Sequence, residues 1–178
     1  MIGRRFLATD RGTASVEFAL VLPMLIVLMF GGFEAGYFIW MQHKLTEAVR
    51  DGARFASRMQ TSDFCNGATL KSDATYTGDI ANIKLLTRTG QLASTTAPAK
   101  VPGWTDAQVT VTVACDSFVS TGIYTDMGQY TSAGAAVKAP IVTVAATNVA
   151  YPSLFHGLGV LKSTINLNAT SNAAVIGV

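Results

Sequence analysis

The sequence predicts an α+β protein built on one long N-terminal helix. Three observations lead there. An uncharged apolar run begins at Phe18, a stripe of small and apolar residues at helical spacing follows it, and three segments of strand period lie between residues 109 and 170. The chain has 178 residues, 49% of them hydrophobic and only 13% charged. Its mean hydropathy is +0.35. This composition excludes a disordered or collagen-like chain and points to a membrane segment.

The charge is unevenly placed. The net charge is +2. Arg4, Arg5 and Arg11 against Asp10 account for all of it, and the chain from residue 13 onward is neutral. A neutral body has no basic field for tracking phosphates, so nucleic acid is not an expected partner.

The first element is the membrane helix. Phe18 to Met41 reads FALVLPMLIVLMFGGFEAGYFIWM, with Glu34 as its one charge. As a helix it is about 36 Å long, enough for a hydrocarbon core of roughly 30 Å. Tyr37 and Trp40 stand near its far end, where amphipathic rings favour the interface. Arginines before the span predict a cytoplasmic N-terminus and a body on the far side. Cys65 and Cys115 are both in that body, where a disulfide persists, and they are expected to pair. Two acids in or beside the run, Glu17 and Glu34, are costly in a bilayer and call for partners. Pro23 removes a backbone donor and is expected to kink the helix.

The helix is expected to continue beyond the membrane. Leu45, Ala48, Val49, Gly52, Ala53 and Ala56 share one face, while Glu47, Arg50, Asp51, Arg54 and Arg58 take the other. Opposite charges three apart pair Glu47 with Arg50 and Asp51 with Arg54. The stripe permits close packing, either by the protein's own sheet or by a partner.

The rest reads as a small domain. Residues 60–106 are polar and turn-rich, with a short helix from Ile80 to about Leu92 capped by Asp79. Val109 to Cys115, Ile141 to Ala150 and Thr164 to Thr170 read as strands. A sheet with one apolar face needs a cover, and the long helix is the available one. The Tyr151–Leu161 connection is unusually apolar for a loop. Core packing and contact with a membrane or a neighbouring subunit remain open for it. Phe118 to Ala136 reads as a surface loop.

One further pattern lies at the start. Arg11-Gly12-Thr13-Ala14-Ser15-Val16-Glu17-Phe18 places a basic leader and a glycine before an acid at the fifth position of an apolar helix. This resembles the processing site of prepilins and pseudopilins, which a prepilin peptidase cuts after the glycine. Such a cut would leave an ammonium on Thr13, about one helical turn from Glu17.

The wider stretch resembles the TadE-like family of tight-adherence (Flp) pilus biogenesis. The matching residues are Gly12, Val16, Glu17, Phe18, Pro23, Glu34, Gly36, Tyr37 and the run Arg50-Asp51-Gly52-Ala53-Arg54-Phe55-Ala56. About a quarter of the chain carries the likeness. The resemblance implies a pseudopilin or minor pilin that is cleaved after Gly12 and assists pilus assembly. It implies a leader over residues 1–12, a transmembrane helix over 13–41 and a periplasmic α+β domain over 42–178, in the inner membrane of a bacterium. The partners implied are the membrane, the prepilin peptidase, other pilin-like subunits and pilus assembly proteins. The von Willebrand-type domain of longer relatives, with its metal-binding Asp-x-Ser motif, has no counterpart here. An uncleaved scaffold with the same anchor is the competing reading, and a secreted protein freed by signal peptidase is the third.

No catalytic constellation is present. His43 and His156 stand on different segments, and no H-E-x-x-H, phosphate loop or nucleophile-elbow motif occurs. The expectation is a structural protein with no enzyme activity, metal, cofactor or small-molecule substrate.

Overall fold

The computed structural model describes residues 13–66, 69–94, 96–119, 138–155 and 165–176. Helix α1 (Thr13–Ser57) runs unbroken for 45 residues and passes through Pro23. A single turn, α2 (Thr61–Phe64), leads into a two-stranded ribbon of β1 (Cys65–Asn66) and β2 (Thr69–Leu70). Helix α3 (Ala74–Thr89) follows. A 3-10 turn at Asp106–Gln108 opens β3 (Val109–Val119), and β4 (Lys138–Ala150) and β5 (Asn166–Ala174) complete an antiparallel sheet in the order β3-β4-β5. The α+β expectation holds: one long helix packed on a small antiparallel sheet.

Helix α1 changes environment along its length. Residues 14–33 are exposed throughout. From Met41 onward one face enters the core, with Leu45, Ala48, Val49, Ala53 and Ala56 all buried. These are the residues of the helical-period stripe, and their cover is the protein's own domain. Each large apolar side chain so buried contributes roughly 1.5–3 kcal/mol. Strand β5 lies along the helix in the same direction. Gln42 Nε2 donates to the Asn168 carbonyl at 2.8 Å near one end, and Ile176 N donates to the Ser57 carbonyl at 2.9 Å near the other.

The strands follow their period. Val142, Val144 and Ala146 of β4 are buried beside Leu167 of β5 and Val109 of β3. All three strands run past the segments read from sequence, to residue 119 in β3, from residue 138 in β4 and to residue 174 in β5. A bulge between Ala146 and Val149 breaks the β4–β5 register. Asn148 sits there at φ 56, and its N–H donates to the Asn168 side chain at 2.9 Å.

The α3 boundaries correct the expectation. The helix begins six residues earlier than Ile80, capped by Asp73, whose carboxylate accepts from Tyr76 N at 2.8 Å. Asp79 therefore lies inside the helix, where its side chain caps nothing. Gly90 ends the helix in the left-handed region at φ 77, before Leu92. Most of the Phe118–Ala136 loop, with Tyr124 and Tyr130, lies outside the described residues.

Candidate functional site

The anchoring surface comes directly from the sequence run. Twenty consecutive positions, 14–33, expose Val16, Phe18, Leu20, Met24, Val27 and their neighbours on every side of the helix. This stretch is about 30 Å long. Apolar surface on all faces of a helix has no counterpart on a water-soluble domain. Glu17 is exposed near its start, four residues after Thr13, with no ion-pair partner among the described residues. Gly12 lies outside the described residues.

Glu34 marks a junction. Its Oε2 accepts from Leu154 N at 3.2 Å, and its backbone carbonyl accepts from the Tyr151 hydroxyl at 3.2 Å. Oε1 is buried with no partner among the described residues. The turn after β4 therefore closes onto the helix one turn below the first packed aromatics. Tyr151 stacks edge-on against Phe38, with ring centroids 5.2 Å apart, and Phe155 stacks edge-on against Phe30 at 5.0 Å. Tyr37 lies 6.0 Å from Tyr151 and 5.5 Å from Trp40, and Lys44 Nζ sits 4.1 Å over the Trp40 ring. Residues 156–161 of the apolar connection lie outside the described residues.

The Arg50–Arg54 motif is a packing device. Gly52 faces Thr87 of α3 so closely that a Cβ at position 52 would lie 1.9 Å from Thr87 Oγ1. Asp51 Oδ2 accepts from Lys100 Nζ at 2.9 Å, holding the segment after α3 against the helix. Asp51 and Arg54 approach to 3.9 Å, so this is the i,i+3 pair that closes, and Ala53 is buried. Arg50 is exposed and has no partner among the described residues. Thr87, Lys100 and the Tyr151–Glu34 contact were not singled out from sequence, because each pairing joins positions distant in the chain.

A disulfide joins Cys65 to Cys115, linking the β1–β2 ribbon to β3. No group of three or more His, Cys, Asp or Glu side chains able to hold a metal ion occurs among the described residues. The arrangement offers apolar surface, rigidity and two acids in or beside the apolar run of the helix.

These features converge on the helix and its motif. Residues 12–54 match the family model of TadE-like proteins. The match begins at Gly12 and ends at Arg54, so it takes in the apolar run, both acids and nearly all of the helix motif. The TadE-like portion is α1, and the sheet domain lies outside it. No curated protein and no solved structure matches the chain.

Proposed function

We propose that the chain is a pseudopilin or minor pilin that assists assembly of a tight-adherence pilus. The observation that carries this reading is the fully exposed apolar helix over residues 14–33, with Glu17 one turn from Thr13, inside the stretch that matches the TadE-like model. A prepilin peptidase in the membrane cuts after Gly12. The new ammonium on Thr13 then neutralises Glu17, within the chain or from a neighbouring helix. The exposed helix packs among pilin-like helices and lipid, and the sheet domain faces the periplasm of a bacterial inner-membrane protein. The Cys65–Cys115 bridge supports that side, since disulfides persist in oxidising compartments. The protein's work is structural, as no step of this scheme calls for catalysis by its own residues.

The test is the N-terminus and intact mass of the chain from native membranes, with and without the peptidase. A start at Thr13 that requires the peptidase is the expected result. A start at Met1 in both strains overturns the cleavage and leaves an uncleaved scaffold. Glu17→Ala is expected to impair piliation, and normal piliation in that variant counts against the pilin role.

A further inference from the structure

We propose that the Tyr151–Phe155 turn is a second membrane-inserting element: a wedge that enters the lipid leaflet on the domain's side, beside the helix. The inference rests on the reading that α1 spans a bilayer.

Depth is the first argument. A hydrocarbon core of about 30 Å takes about 20 helical residues at 1.5 Å each. Counted from Ala14, where the exposed helix begins, the core ends at Glu34. Counted from Phe18, it ends at Phe38. Phe155 stacks on Phe30, and Leu154 bonds to Glu34. Either count places Phe155 inside the core and Leu154 at its boundary or below it.

The second argument is the backbone of the turn. Irregular chain survives in hydrocarbon only where its polar groups are satisfied within the protein. Tyr151 N donates to the Ile165 carbonyl at 3.0 Å, and Ser153 N to the Tyr151 carbonyl at 3.1 Å. Leu154 N donates to Glu34 Oε2, and Phe155 N to Ser153 Oγ at 3.3 Å. Pro152 has no N–H to satisfy. Each backbone N–H of the five residues thus has an internal acceptor, which a solvated surface turn does not need. Glu34 is then explained as well: it supplies the acceptor that closes the turn.

The surface around the turn is graded like a bilayer boundary. Leu154 is 52% exposed and Ile165 is 45% exposed, continuous with the bare helix below. An open groove lined by Gly31, Glu34, Ala35, Ile39, Tyr151 and Ile165 lies beside the contact between the turn and the helix. Above it come Tyr37 and Trp40, then Lys44 over the Trp40 ring. Apolar groups, then amphipathic rings, then a cation is the order of hydrocarbon, interface and headgroups. The wedge places the outer boundary of the span between Glu34 and Phe38, short of Met41.

The experiment measures depth in the full-length protein, with its native disulfide intact, in liposomes of phosphatidylethanolamine and phosphatidylglycerol. Nitroxides are placed singly through Leu154→Cys, Leu25→Cys and Leu92→Cys, and their collisions with oxygen and with a water-soluble nickel chelate are compared. The expected result is an oxygen-favoured label at 25 and at 154, and a chelate-favoured label at 92. An aqueous label at 154 with a lipid label at 25 overturns the wedge and leaves the span standing. Aqueous labels at both overturn the span and the wedge with it. A label at 154 shielded from both reagents overturns lipid in favour of a protein neighbour. Leu154→Trp with brominated lipids provides an independent check, and fractional quenching by bromine no greater than in the wild type overturns the wedge.

Discussion

Gly52 of α1 packs directly against the Thr87 side chain of α3. A Cβ on residue 52 would meet Thr87 Oγ1 at 1.9 Å and Thr87 Cβ at 3.1 Å. Thr87 is fully buried, and its hydroxyl is held at 2.7 Å by the Ile83 carbonyl, so rotating it away breaks a buried hydrogen bond. This gives the glycine of the Arg-Asp-Gly-Ala-Arg motif a packing role.

Gly52→Ala is therefore expected to destabilise by about 1–3 kcal/mol, although alanine is the better helix former by about 1 kcal/mol. Thr87→Ala in the same chain should relieve part of the loss, because Oγ1 goes but the close Cβ stays. Urea denaturation in detergent, followed by the fluorescence of buried Trp104, measures both. Additive losses would show that the two helices separate freely.

Asp51 and Lys100 form the second tie across the same face. The pair is partly exposed, with side chains 47% and 28% accessible. Its loss in Lys100→Met is expected to cost no more than about 1 kcal/mol, and less at high salt. A wild-type denaturation midpoint for this variant at low salt would mean that the aliphatic stem alone holds the segment.

The disulfide closes a separation of 50 residues, for which the chain-entropy model gives roughly 4 kcal/mol. Cys65→Ala with Cys115→Ala should lower the urea midpoint of the domain while its strand content, read by circular dichroism, is retained at low temperature. Since Cys65 and Cys115 are buried, alanine leaves small voids and adds no polar group.

The parts of this fold that were legible in the sequence are those carried by local periods. The apolar run, the stripe from Leu45 to Ala56 and the alternation from Val109 to Cys115 each repeat at the spacing of one element, so they name it without knowledge of the rest. The α3 start differs from the sequence reading because Asp73 and Asp79 are equally good cap types. What distinguishes them is the Tyr76 N–H at 2.8 Å from Asp73. Glu34 was legible as an acid needing a partner, but that partner lies 117 positions away at Tyr151 and 120 away at Leu154, beyond any local signal.

Asp79 has a pH signature that follows from this placement. Desolvation by burial, then the charges of Asp63 and Asp73, raise its carboxyl above the ordinary 3.8. The folded state thus holds this proton more tightly than the unfolded chain. The stabilising effect of protonation is fully present below the unfolded value and is lost as pH rises through the raised one. Asp79→Asn should flatten that loss and raise stability slightly at neutral pH, by less than about 0.5 kcal/mol. Urea midpoints followed from acid to neutral pH measure it, and a midpoint that falls in the variant at neutral pH would give the carboxylate a stabilising role.

Glu34 separates two roles that the helix surface alone would blur, burdensome charge and necessary acceptor. Glu34→Gln keeps an oxygen that can accept from Leu154 N, while Glu34→Ala removes it and leaves a donor unsatisfied at the membrane boundary. A buried donor left without its acceptor costs roughly 1–3 kcal/mol, so amide exchange at Leu154 should quicken about tenfold or more in the alanine variant. In the glutamine variant it should stay near wild type. Hydrogen exchange of the full-length protein in micelles resolves the two. Equal exchange in all three proteins would show that the Tyr151 hydroxyl and the Phe30–Phe155 stack hold the turn without the carboxylate.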